Sequence, residues 1–274
     1  MCEEPDFFAE NYTDYYDDVL GKELDPEGVV QARREEVVFI RKMKVWEEVD
    51  RPRDKTVLKG KWVDTNKGDE VHPRYRSRYI GKEIKRGSKG ALVADFFAAM
   101  PPLSSFKLLL TLAMVDRFYG ADGTFRSRTD PWYLMFIDMK RAHFVSDTTR
   151  ELYIELPDEV KRPGEDKVGR LLRSLYGTRD AAANWEKTIR KVMENLGFVC
   201  AMGPPCNFLH AKRNLRYTVH GDNFVTLGLI LELKKFAQEL KSRWMIEERG
   251  IFGPPELRCL GTIYETPEPH LEVD

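Results

Sequence analysis

The segment Tyr217-Thr-Val-His-Gly-Asp-Asn-Phe-Val-Thr-Leu-Gly228 consists of two apolar, β-branched runs broken by Gly221-Asp222. Arg216–His220 predicts one strand, the tight turn reverses the chain, and Phe224–Leu227 returns as the partner of a β-hairpin. A second segment, Trp132-Tyr-Leu-Met-Phe-Ile-Asp-Met139, is solidly apolar as far as Ile137 and stops abruptly at Asp138. It predicts a buried strand with a carboxylate at its end. A strand-end Asp138 and a hairpin-tip Asp222 can meet at one edge of a sheet. Two hard oxygen ligands there would hold Mg²⁺ and leave room for waters and phosphate oxygens. Taken singly, each Asp is more often turn chemistry or a surface group.

Around these segments the pattern alternates between helix and strand. Asp25-Pro26-Glu27 predicts a capped helix start, and the helix runs to about Met43 with Val29, Val30, Val37 and Ile40 inward. Thr56–Val63 and Tyr75–Ile80 are strand-like, with a turn at Lys67-Gly68-Asp69. Ser104 predicts the cap of a second helix whose inner face is Phe106, Leu109, Leu110, Ala113 and Met114, ending near Gly120. Leu152–Leu156 predicts a strand, Ala181–Leu196 a helix capped by Asp180, and Glu232–Trp244 an amphipathic helix. Strands and helices mix without βαβ regularity, so the fold class is α+β around an antiparallel sheet.

The 274 residues can bury a core without disulfides or metal. No apolar run reaches the roughly 18 residues of a membrane span, and the N-terminus lacks the pattern of a secretory signal. The expectation is an intracellular protein with no membrane partner. Its four cysteines (Cys2, Cys200, Cys206, Cys259) are then reduced thiols, the last three in the core. The net charge is −1, but its distribution is uneven. Residues 1–30 carry ten acids against one base, and residues 51–90 carry thirteen bases against five acids. An acidic, poorly ordered tail (1–24) beside a basic segment is compatible with nucleic-acid contact or with a solvated loop region.

In order, the chain carries WVDTNKGDEVHPRYRSRYIGK, FFAAMPPLSSFKLLLTLA, FIDMKRAHF, ELYIELPDE, RLLRSLYGTRDAAANWEK, YTVHGDNFVTLG and RCLGTIYE. This series, over about residues 29–265, resembles the reverse transcriptase of Ty1/copia retrotransposons. Ser174–Trp185 is its most specific part. The resemblance implies a right-hand polymerase: fingers over 25–130, palm over 131–230, and palm end with a partial thumb over 231–274. It implies an RNA-directed DNA polymerase that takes an RNA or DNA template-primer and a deoxynucleoside triphosphate, with two Mg²⁺ ions as cofactor. The first catalytic Asp falls on Asp138, and the paired acids of the palm hairpin fall on Asp222 and Asn223. Asp138 and Asp222 are thereby the implied metal ligands. Arg78 is implied to clamp the triphosphate, with Arg76 and Lys82 nearby. His143 falls where an aromatic side chain screens the sugar 2′-hydroxyl, and Asp180 falls where a Gln contacts the nucleotide.

Several of those positions depart from the family pattern. Asn223 offers one neutral oxygen where a carboxylate is expected, and Asp180 sets a negative charge beside a triphosphate. Both are expected to be exposed in the cleft. The departures predict a polymerase that is impaired or inactive. Two alternatives stay open: a non-catalytic nucleic-acid-binding module, and a relic of a transposable element.

Overall fold

The computed structural model describes residues 14–83, 101–115, 117–119, 125–127, 129–201 and 206–254. Gly120 and Cys259 lie outside these residues, as does most of the acidic tail. The chain divides into two compact units. One comprises residues 1–97 and 143–185, the other 98–142 and 186–274.

In the first unit the chain opens with a short antiparallel pair, Tyr15–Tyr16 with Glu23–Leu24. The end of the acidic stretch is thus ordered rather than a loose tail. Asp17 explains why: it is buried, and its carboxylate accepts the backbone N–H groups of Val19, Leu20 and Asn66. The helix Pro26–Met43 follows, with the Asp25 side chain accepting from Gly28 N at its start. Its inner face is Val29, Ala32, Val37 and Ile40. A long hairpin, Gly60–Asn66 paired with Tyr75–Gly81, lies against this helix. A four-stranded sheet orders Trp46–Asp50, Lys167–Leu171, Tyr153–Glu155 and Val57–Leu58; the last two run parallel. Val37, Ile40, Trp46, Tyr79, Phe144, Ile154 and Leu175 close the core between these elements.

The second unit is built on a six-stranded antiparallel sheet. Its order is Val199–Cys200, Asn207–His210, Leu215–His220, Asn223–Gly228, Tyr133–Met139 and Ile246–Phe252. The strand Tyr133–Met139 is therefore paired on both sides. Its Leu134, Met135, Ile137 and Met139 are no more than 1% exposed. Burying each such side chain contributes about 1.5–3 kcal/mol. The helix Leu103–Met114 sets Leu109, Leu110 and Ala113 against Leu134 and Leu227. An aromatic cluster of Phe198, Tyr217, Phe224 and Phe236 packs with the helix Ile230–Lys241.

The described elements make a mixed helix-and-strand fold, and no helix among them is long and apolar enough to cross a membrane. Ser104 is not the cap expected of it. The helix begins two residues earlier than that cap would set it, at Leu103; Pro102 holds the N-cap position, and no side chain caps it. Pro102 lacks an N–H and presets an extended entry, so it fixes the start by itself. Of the described cysteines, Cys206 is buried and Cys200 only half-buried.

One loop ties the first unit together. Gly81 N donates to Tyr176 O at 2.7 Å. Gly177 follows with φ +81°, and a Cβ there would lie 2.1 Å from Gly81 O. Backbone strain and a clash with backbone both oppose any side chain. Gly177→Ala is expected to destabilise the protein by about 2–3 kcal/mol, measured as a lower urea midpoint. An unchanged midpoint would show that this close approach is not a constraint.

Candidate active site and nucleotide-binding residues

The candidate residues fall into two sets, one in each unit. In the second unit, the register places Asn223 directly opposite Asp138 on one side and Glu247 opposite Asp138 on the other. Directly paired residues share a face and stand roughly 4.5–5.5 Å apart at Cα. The hairpin tip is tied to the Asp138 strand here, because Met139 N donates to the backbone oxygen of Asp222 at 2.8 Å. The structure thus brings Asp138, Asp222 and Asn223 to one end of the sheet. The Asn223 amide nitrogen donates to Asp222 Oδ1 at 3.1 Å.

Sequence reasoning misses a cation at this edge. Arg249 Nη2 donates to Asp138 Oδ2 at 3.0 Å, while its Nη1 donates to Glu247 Oε1 at 2.8 Å. Lys140 Nζ lies 3.6 Å from Glu247. Two of the carboxylates at the sheet end, Asp138 and Glu247, are therefore met by two protein cations. The available signal is Glu248-Arg249-Gly250, a glycine-bearing break in a polar strand.

In the first unit, Arg76, Arg78 and Lys82 lie on or just after the second strand of the long hairpin. Alternation puts Arg76 and Arg78 on the face opposite buried Ser77 and Tyr79. Arg76 and Lys82 are exposed and Arg78 is half-buried. The Arg78 guanidinium sits 5.0 Å from the centroid of the Tyr176 ring, a cation–π contact. His143 meets the same ring edge-on, 4.8 Å between centroids. Arg78 and His143 are thus gathered around Tyr176, a residue to which the sequence pattern assigns no role.

Asp180 is not exposed as expected; it is 3% exposed. Its Oδ1 accepts from Arg150 Nη2 at 2.6 Å, and Oδ2 accepts from Asn184 Nδ2 at 3.1 Å. Arg150 also forks onto Glu83 at 2.8 and 2.9 Å, and Glu83 accepts the Arg179 N–H. Desolvation is the largest influence on Asp180 and raises its pKa. The Arg150 hydrogen bond and charge, with Asn184, outweigh it and hold the carboxyl below its usual range. Glu83 is lowered in the same way, with burial opposed and outweighed by Arg150 and the Arg179 N–H. Asp180 thus works as part of a buried ion network, in which it shares the Arg150 guanidinium with Glu83.

The family model for reverse transcriptase (RNA-dependent DNA polymerase) matches residues 43–252. The retrovirus-related Pol polyprotein from transposon TNT 1-94 of Nicotiana tabacum is 26% identical over 207 residues, covering 74% of this chain and 14% of that protein. The transposon Ty1-ER2 Gag-Pol polyprotein of Saccharomyces cerevisiae is 25% identical over 209 residues, covering 72% and 11%. The Pol polyprotein from transposon RE2 of Arabidopsis thaliana is 25% identical over 210 residues, covering 74% and 13%. This chain thus spans a small fraction of the curated relatives it matches. Among solved structures, a foamy viral protease–reverse transcriptase in complex with double-stranded DNA has a TM-score of 0.38 at 10% identity, covering 79% of this chain and 30% of that one; so distant a likeness carries no argument. The chain belongs to the reverse transcriptase family, as a domain of the Ty1/copia type.

Reverse transcriptases generally use divalent metal ions. The residues at this sheet end do not fit a two-ion site. One of the three expected carboxylates is the amide of Asn223, and Asp138 is engaged by Arg249. Among the described residues, no group of three or more His, Cys, Asp or Glu is arranged to hold a metal ion.

Two outcomes follow for Asp180. Asp180→Gln is expected to destabilise the protein by about 1–2 kcal/mol, because it removes a charge-assisted bond from Arg150, which keeps its fork to Glu83. Because the native carboxyl is depressed, its contribution is present above the unfolded value of about 3.9 and is lost as pH falls through the native value. Urea unfolding between roughly pH 1.5 and 7 should therefore show a shallower acid limb below about pH 4 in Asp180→Asn. Equal acid limbs would remove Asp180 from the network.

Proposed function

We propose that this chain is a reverse transcriptase domain that docks an RNA or DNA template-primer while its nucleotidyl transfer is strongly attenuated. The observation that carries the reading is the sheet end where Asp138 pairs with Asn223 and is held by Arg249. In the family's terms the unit with the six-stranded sheet is the palm. The unit with the basic hairpin is the fingers, and it then includes residues 143–185, which the sequence boundaries assign to the palm. Residues 231–274 complete the palm and begin a thumb.

In this reading, Arg76, Arg78 and Lys82 meet phosphate oxygens, with Arg78 oriented by the Tyr176 ring so that its planar fork is presented in one geometry. His143, braced edge-on by the same Tyr176 ring, flanks the sugar of an incoming deoxynucleoside triphosphate. Transfer itself is limited at the acids. Asn223 is neutral, and Arg249 competes for Asp138. Each loss of ~1.4 kcal/mol of transition-state stabilisation is a factor of ten in rate. Asp180 belongs to a buried network, so Asn223→Asp combined with Arg249→Ala, rather than a change at 180, is the informative reversal.

Primer extension on an RNA template in Mg²⁺ should give no product above background with the native chain, and robust extension would sink the attenuated reading. Binding is expected to survive. In anisotropy titrations with a labelled RNA–DNA hybrid, changing Arg76, Arg78 and Lys82 together to Ala should weaken binding across sequences. It should also flatten the salt slope by about one unit for each phosphate no longer neutralised. An unaltered slope would remove the hairpin from the interface.

A further inference from the structure

We infer that Arg249 is a built-in counter-cation of the palm acids: it takes the electrostatic place of a divalent ion at Asp138 and sets how weakly this edge binds one. The inference rests on the reading of that edge as the family's catalytic position.

The geometry is specific to this arginine. Its two terminal nitrogens engage two carboxylates, Asp138 at 3.0 Å and Glu247 at 2.8 Å, which flank each other across paired strands. A β-bulge creates the reach. Pairing is regular through Glu248 opposite Ile137 and resumes with Gly250 opposite Phe136, so Arg249 is the extra residue. Gly250 has φ +147°, a conformation that L side chains rarely adopt, and it allows the bulge. Without the extra residue, strict alternation would put Arg249 on the same face as Glu247, but paired opposite Phe136 instead of looped out beside Asp138. Arg249 also lines, with Phe136, Phe252 and Asn223, a cavity of about 300 Å³.

Charge and sterics then act together. A divalent ion at Asp138 has to share the carboxylate with Arg249, which holds Oδ2, and it must also approach a positive charge within a few ångströms. A divalent ion meets twice the repulsion that a monovalent one would, and water screens it less at a partly enclosed edge. Lys140, beside Glu247, adds to the same field.

Mn²⁺ serves as the probe, with affinity read from the electron paramagnetic resonance signal of the unbound ion and from water-proton relaxation. The native chain should bind it weakly at this edge. Arg249→Ala should tighten binding by about tenfold, Arg249→Lys should stay near native, and adding Asp138→Asn to Arg249→Ala should abolish the gain. The Arg249 side chain is 55% exposed, so the core survives its removal; the neutral Arg249→Gln makes the same test if alanine disturbs the strand. Unchanged Mn²⁺ affinity in the neutral variants, or a gain that persists without Asp138, would overturn the inference. Primer extension is measured in parallel. Tighter Mn²⁺ binding with no extension supports the role of Arg249 and leaves Asn223 limiting transfer. Extension by the native chain counts against the attenuated reading alone.

Discussion

The strand Tyr133–Met139 is hydrogen-bonded to a partner along both of its edges, and this double pairing governs what can stand at the candidate site. A slip of one residue would exchange the two faces and move Met135, Ile137 and Met139 from their buried face to the one that carries Asp138, so the apolar core fixes the register. Asp138 is then carried to its place between Asn223 and Glu247 whatever those neighbours are. The acid is an obligatory occupant of the sheet end, and the rest of the edge must accommodate it.

The two ion clusters of the chain answer that kind of demand differently. Around Asp180 the carboxylates are withdrawn from water, and Arg150 spans Glu83 and Asp180 with charge-assisted bonds. Breaking a buried pair leaves an uncompensated charge, so the cluster is rigid and its members have structural work. Around Asp138 the side chains stay in contact with solvent: Asp138 is 21% exposed. Water weakens each interaction there, so the balance of charge can shift by one side chain without unfolding the sheet. That difference sets the solvent-facing edge at Asp138 and Asn223 apart from the buried network at Asp180.

Much of this is legible in the sequence where local pattern and tertiary fate agree. The hairpin around Gly221-Asp222, the capped helix after Asp25 and the apolar run into Asp138 each announce themselves through turn residues or periodicity. The strand Lys167–Leu171 does not, because three of its five residues are charged or glycine. Burial there comes from partners distant in sequence. The strand Ile246–Phe252 is hidden for a related reason: Glu-Glu-Arg-Gly reads as a polar loop, and only its pairing with Tyr133–Met139 makes it a strand. Arg249 is invisible with it. Asp180 is misplaced because residue identity shows a charge but not its countercharge, and Arg150 lies 30 residues away.

Asn223 and Arg249 acquire a common physical sense when the edge is considered as a sheet end rather than as a set of ligands. Carboxylates at positions 138, 223 and 247 would stand side by side across three paired strands, where like charges oppose pairing. A divalent ion relieves that repulsion from outside the chain. Here the chain relieves it from within, by making one of the three neutral and by looping a guanidinium over the other two. Both changes stabilise the metal-free edge, and both lower what a cation would gain by binding. An acid restored at 223 would therefore re-enter an edge whose counter-cation is already in place, and it would add repulsion before it added a ligand. The order in which such changes are reversed matters: the cation at 249 has to leave before a third carboxylate has anything to hold.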